Sequence, residues 1–220
     1  HNIIELHRIA ALFADDAHLE TCKIVASNAL DEYLIRDLLM QGAQIDTFGV
    51  GERLITSKSD PVFGCVYKLA AVENENGTII PKIKVSENTA KITNPHFKRV
   101  YRLFDNESGK ALADELCIHD ERISEDCPHT IFDPEATWKT KTLTNFTAKE
   151  LLVPVFRGGT CVYEIPPLNA VKAYCAEQVE SLWDEVKRFE NPHKYYVDLS
   201  RRLWDVKHAL LEKNKQGKPD

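Results

Sequence analysis

The apolar positions of this chain change period twice, from helical to alternating and back to helical. Ile3, Leu6, Ile9 and Phe13 step by three and four, which predicts a helix, and the β-prone run Cys22 to Ala26 behind it predicts a buried strand. Asn28 then stands where a helix cap would, with Asp31 near the third helical position, and Leu30, Leu34, Ile35 and Leu38 make an apolar stripe that Gly42 stops. A second strand, Ala43 to Phe48, runs into Gly49-Val50-Gly51-Glu52-Arg53. The order predicted for this stretch is α-β-α-β, with a glycine-bearing loop at the carboxyl end of the last strand.

From about Val62 the pattern alternates between strong turn signals. Val66 to Val72 and Ile79 to Val85 flank Asn76-Gly77, whose two residues can both take positive φ in a tight hairpin. Val100 to Phe104 and Ala111 to Ile118 flank Asn106-Glu107-Ser108-Gly109, and Leu152 to Phe156 and Cys161 to Glu164 flank Gly158-Gly159. All three read as antiparallel hairpins. After Pro166-Pro167 one helix is predicted through Val171, Cys175, Val179, Leu182, Val186 and Phe189 up to Asn191-Pro192, and a last one through Leu199, Leu203, Val206 and Leu210. The resulting class is α/β followed by α+β, divided into residues 1–64, an antiparallel region 65–165 and a helical segment 166–220. Two parallel strands do not complete a sheet, because parallel strands are normally covered on both faces.

Composition narrows the class further. With 43% hydrophobic and 28% charged residues, 9 Gly and 10 Pro, the chain has a globular make-up and not a collagen-like or disordered one. No apolar run approaches the ~20 residues that span a bilayer, so no membrane partner is expected. A net charge of −6 argues against nucleic acid, which recruits clustered Lys and Arg. Six scattered cysteines in a chain of this size are expected to be reduced thiols, which suggests a cytoplasmic protein. The start at His1, with no initiator Met, suggests a piece of something longer.

Two constellations could carry chemistry. Backbone N–H groups in a glycine-rich turn at the end of a parallel strand form an anion cradle, and Gly49 and Gly51 would let that backbone approach a phosphate; a tight β-turn explains the same pattern. Cys117 with His119, and Cys127 with His129, each pair sulfur and nitrogen at i, i+2, so together they could make a tetrahedral zinc site; half-buried cysteines and surface histidines are the plainer reading. The motifs G-x-S-x-G, H-E-x-x-H and G-x-x-x-x-G-K-[ST] are not found.

Several segments together resemble the nicotinate phosphoribosyltransferase family. They are Lys23 to Glu32 (KIVASNALDE), Ile45 to Leu54 (IDTFGVGERL), Asp60 to Leu69 (DPVFGCVYKL), Lys82 to Ser86, Lys91 to Pro95, Val100 to Leu103, Trp138 to Phe146 and Pro192 to Leu211. The resemblance implies that residues 1–64 hold the last βα units of a type II phosphoribosyltransferase β/α barrel, with hairpins and C-terminal helices after them. It implies a reaction in which nicotinate attacks the anomeric carbon of phosphoribosyl pyrophosphate to give nicotinate mononucleotide and pyrophosphate, with Mg²⁺ on the pyrophosphate and ATP hydrolysis coupled, in a homodimer. It places Ser27 and Asn28 beside the ribose, the loop Gly49, Val50, Gly51, Glu52 and Arg53 around the 5′-phosphate, and Lys68 near phosphate. No catalytic residue and no protein metal ligand is assigned. The family's Asp-Ser-Gly-Asp strand finds no match in His1 to Glu20, Cys65 replaces a residue usually glycine, and His96 sits where glycine is common. The chain is therefore expected to be a C-terminal half with little turnover of its own; the competing expectation is a non-catalytic paralogue acting as a binding partner.

Overall fold

The computed structural model describes residues 23–62 and 64–215, which fall into two compact units meeting in sequence at Val66 and Tyr67. The first predicted helix lies outside the described residues. The sequence divides at 64/65 and again at 165/166. In the structure the C-terminal segment joins the sheet of the antiparallel region, because Val197–Leu199 pairs with Ala111–Ile118.

In the first unit, strand β1 (Val25–Ser27) leads to helix α1 (Glu32–Met40), strand β2 (Thr47–Gly49) and the single turn α2 (Glu52–Ile55). The cap of α1 is Asp31, not Asn28: its carboxylate accepts the Leu34 N–H at 2.9 Å. The reason is local, since Asn28 (φ 94°) and Ala29 (φ 48°) are left-handed and no helix can run through them. At the other end Gly42, at φ 81°, donates to the Leu39 carbonyl while Ala43 donates to Leu38, which is the Schellman pattern that stops a helix. Leu30, Leu38 and Ala43 are buried against Ala26, Ile35, Phe48 and Val50. Burial of each leucine contributes about 1.5–3 kcal/mol. The expected buried strand is covered on one face only, and Val25 is exposed.

The second unit is built on hairpins. Strands β3 (Ala71–Glu73) and β4 (Ile79–Pro81) pair around a turn in which only Gly77 is left-handed, so the tight Asn76-Gly77 hairpin becomes a longer Asn74–Gly77 turn held by the Asn74 side chain. Strands β5 (Lys98–Asp105) and β6 (Ala111–Ile118) form the predicted long hairpin, whose turn is fixed by the Asp105 carboxylate accepting from the Ser108 N–H at 2.8 Å. A further hairpin, β7 (His129–Phe132) with β8 (Thr140–Leu143), and the strand β9 (Phe146–Glu150) follow. Gly158 and Gly159, both at positive φ, join the two-residue strands β10 (Phe156–Arg157) and β11 (Thr160–Cys161).

The predicted long helix breaks into α3 (Leu168–Glu180) and the turn α4 (Asp184–Lys187). Leu199 belongs to strand β12 (Val197–Leu199), not to the last helix, α5 (Arg201–Lys215). The four-stranded sheet runs β12-β6-β5-β9, with β12 parallel to β6 and the other pairs antiparallel. Its core joins Tyr101, Leu103, Ala113, Cys117, Ile131, Leu143 and Phe146, and α5 closes on Leu199 and Ile118 through Leu203. Within the sheet Arg102 grips Asp114 with two hydrogen bonds of 2.8 and 2.9 Å, and the Tyr195 hydroxyl donates to the same carboxylate at 2.9 Å. Among the described residues no helix is long and apolar enough to cross a membrane.

Candidate functional site

The parallel register of the first unit sets Val25 against Thr47, Ala26 against Phe48 and Ser27 against Gly49. Both strands therefore end side by side, and the loops that follow them, at Ser27-Asn28 and Gly49 to Arg53, are neighbours. That is the end of an α/β sheet at which ligands bind. The two glycines do different work. A Cβ on residue 49 would come within 3.1 Å of the Ser27 Cβ, so glycine permits the close approach of the strands; a Cβ on residue 51 would meet nothing within 4 Å. The N–H groups of Glu52 and Arg53, in the first turn of α2, have no partner inside that helix.

Opposite these donors lies strained backbone. Two consecutive non-glycine residues, Asn28 and Ala29, sit in the left-handed region at a cost of about 1–2 kcal/mol each. The partly exposed Arg53 guanidinium is ion-paired with Asp31, tying α2 to the cap of α1. The Leu34 N–H and the Arg53 charge hold the Asp31 carboxyl below the usual carboxylate range. A groove of about 350 Å³ runs along this junction, lined by Asp31, Ile35, Val50, Arg53, Ser57 and Lys58 among others. Asp46 closes the opposite end of the strands by accepting from the Ile24 N–H at 2.8 Å and from Lys23 at 3.1 Å.

Of the residues singled out from the sequence, Ser27, Asn28, Gly49, Val50, Gly51, Glu52 and Arg53 thus share one end of one unit. Lys68 belongs to the other unit, where its ammonium donates to the Lys91 carbonyl. Asp31 was missed as the anchor of Arg53, because the left-handed pair Asn28-Ala29 that delays the helix to that residue shows only in the structure.

The Cys/His quartet does not come together as a tetrahedron. Cys117 is buried in the sheet core, its thiol pushed up by burial and by Glu115 and Glu121. His119 packs at a tilt against Phe97 with ring centroids 5.1 Å apart, Cys127 is exposed, and His129 Nε2 bonds Glu115 at 2.5 Å. Among the described residues, no group of three or more His, Cys, Asp or Glu side chains is placed to hold a metal.

Paired parallel βα units with their loops gathered at one end, and a second unit built on a mostly antiparallel sheet, define a mixed α/β protein. The family model for the nicotinate phosphoribosyltransferase C-terminal domain matches residues 97–207. The nicotinate phosphoribosyltransferase of Bacillus subtilis is 37% identical over 96% of this chain, and that of Dictyostelium discoideum 35% identical over 88%. The chain is similar in fold to the crystal structure of human nicotinic acid phosphoribosyltransferase, with a TM-score of 0.69 at 22% identity over 96% of this chain. This chain belongs to the nicotinate phosphoribosyltransferase family. It spans 43% of the length of the Bacillus relative, 33% of the Dictyostelium relative and 39% of the human chain.

Proposed function

We propose that this chain supplies the phosphate-holding part of a nicotinate phosphoribosyltransferase, an enzyme of NAD salvage. Nicotinate nitrogen attacks the anomeric carbon of phosphoribosyl pyrophosphate, the bond from that carbon to the pyrophosphate oxygen breaks, and nicotinate mononucleotide and pyrophosphate leave. The first unit forms the last βα units of the β/α barrel. In it, the backbone of Gly49 to Arg53 holds the 5′-phosphate, and Ser27 and Asn28 lie beside the ribose.

The observation that carries this reading is the Ser27–Gly49 register, which sets both loops at one strand end. Positioning is the contribution asked of these residues: a sugar phosphate fixed at its 5′ end presents its anomeric carbon in one orientation, and fixed backbone dipoles stabilise charge without reorganising. Arg53 acts by holding α2 in place through Asp31. Lys68 is the proposed second contact to phosphate, and a homodimer the proposed assembly. Mg²⁺ enters with the pyrophosphate as part of the substrate. Among the described residues no group of three or more His, Cys, Asp or Glu side chains is placed to hold it. ATP hydrolysis, coupled in the proposed reaction, is assigned to no residue of this chain.

Gly51 provides the test, because a side chain there meets no protein atom. Calorimetric titration of the chain with phosphoribosyl pyrophosphate should show binding, and Gly51→Ala, the smallest side chain that can be put on the φ −113°, ψ −105° backbone of this residue, should weaken it at least about tenfold when measured well below the variant's own Tm. Equal binding by the variant, or none by the parent chain, overturns the assignment.

A further inference from the structure

Between the main sheet and the β7–β8 hairpin of the second unit lies a cleft of about 260 Å³, lined by Leu112, Ile131, Phe132, Tyr196 and the carboxylates of Asp133 and Asp198 and, toward solvent, by Lys139, Thr140 and Lys141. Asp198 is only 3% exposed, yet no described group donates a hydrogen bond to its carboxylate. Its cross-strand partner is Glu115, itself buried and already bonded to His129. Asp114, one residue along the same strand, shows what a settled buried carboxylate looks like here: two bonds from Arg102 and one from Tyr195. A buried carboxylate without such partners is costly. Burial raises its pKa to about 6, with Glu115 and Asp133 adding to the shift and only Lys194 opposing it. When ionised, the Asp198 carboxylate on the cleft floor is met by no described hydrogen-bond donor, and Lys194 acts on it only through its charge.

Two conditions restrict what could occupy it. Asp198 and Glu115 repel a simple anion. Lys139 and Lys141, exposed at the mouth, are near enough to Asp133 and Asp105 respectively to lower those carboxyls but form no ion pair within 4 Å with a described residue, and they disfavour a simple cation there. The volume is below the usual range for drug-sized ligands and suits a small metabolite. We propose that this cleft binds a small zwitterion, its ammonium seated on the Asp198 carboxylate beside the Phe132 and Tyr196 rings and its anionic end held at the mouth by Lys139 and Lys141. A charge-assisted bond at each end selects for length as well as for charge.

The test is an NMR titration of the whole chain with 4-aminobutyrate and with 2-aminoethyl phosphate, following the amide signals of Leu112, Ile131 and Thr140, with butylamine and butyrate as single-charge controls. At least one zwitterion should shift these signals saturably with Kd in the region of about 1 mM, and each control should bind at least about tenfold more weakly. Which zwitterion binds tells a carboxylate-bearing ligand from a phosphate-bearing one. Asp198→Asn and the double variant Lys139→Ala/Lys141→Ala should each weaken binding about tenfold or more. The lysines are exposed, so that double variant keeps its fold even where Asp198→Asn does not. No response up to about 10 mM, controls binding as well as zwitterions, or undiminished affinity in the lysine variant would overturn the proposal.

Discussion

Ser27 and Gly49 face each other across the parallel pair so closely that a Cβ on residue 49 would lie 3.1 Å from that of Ser27. The φ of Gly49 is not left-handed, so the glycine is required by its neighbour and not by its own backbone. Gly49→Val should therefore cost about 1–3 kcal/mol, as overpacking does. Most of that loss should vanish in a Ser27→Gly background, where the opposing Cβ is gone. Urea denaturation of the four proteins of this cycle measures the coupling. Additivity within about 0.3 kcal/mol would mean that the strands part freely and the contact sets nothing.

Asp114 joins three elements of the second unit through one carboxylate: its own strand, Arg102 on β5 and Tyr195 just before β12. The pairing holds the Arg102 guanidinium firmly charged, and burial and the carboxylate push the Tyr195 hydroxyl up. Removal of one member of a buried pair strands the other, so Asp114→Ala should destabilise by about 3 kcal/mol, while Tyr195→Phe should cost about 1 kcal/mol. The double replacement Arg102→Met/Asp114→Leu should recover most of the loss, because it leaves no buried charge. A double variant as unstable as Asp114→Ala would show that the site needs the ion pair itself.

Much of this architecture was written in local signals. Gly42 ends a helix, Asn106 to Gly109 turn a hairpin and Gly158-Gly159 turn another, because each needs only residues adjacent in sequence. Leu199 shows the limit. Its spacing to Leu203, Val206 and Leu210 is helical, but it pairs with Leu116 on β6, far back in the chain, and that ladder decides its conformation. The long helix read from Val171 to Phe189 fails likewise: the Ser181 carbonyl is taken by the Ala111 N–H. At the candidate site the glycines marked the loop. The Asp31–Arg53 tie and the isolation of Asp198 were not legible, because each depends on which side chains the fold brings near and which it leaves away.

His96 lies in the left-handed region that favours glycine, with a φ of 79°. A left-handed residue with a side chain carries about 1–2 kcal/mol of strain. The ring returns part of this, since its Nδ1 accepts the Phe97 N–H at 3.0 Å and it stacks on His119 with centroids 5.7 Å apart. His96→Gly should raise stability by up to about 1 kcal/mol, and His96→Ala, which keeps the strain and loses the ring, should lower it by a similar amount. Thermal unfolding of both variants separates strain from stacking; a glycine variant less stable than the alanine one would refute the strain argument.

Stability should peak on the acid side of neutrality and fall toward pH 8, because two groups on facing elements titrate in the same sense. Asp198 has a folded pKa of about 6 against 3.8 when free, so the folded state holds its proton more tightly. Its penalty is absent below about pH 4, grows between about 4 and 6, and then stays at roughly 2–3 kcal/mol. His129 is raised by its bond to Glu115, so its favourable contribution is complete below 6.5 and is lost as pH climbs through the folded value. On the other flank Asp31, Asp46, Asp105, Asp133 and Asp184 are lowered by the hydrogen bonds and charges they receive, and their contributions disappear as pH drops below about 4. The expected curve therefore has its maximum near about pH 5. Asp198→Asn should flatten the decline between pH 4 and 6 and His129→Gln the decline above 6.5, as followed by calorimetric Tm against pH. A Tm that rises from pH 5 to 8, or a slope in Asp198→Asn equal to that of the parent, would show that the buried carboxylate is neutralised by a group other than those facing it.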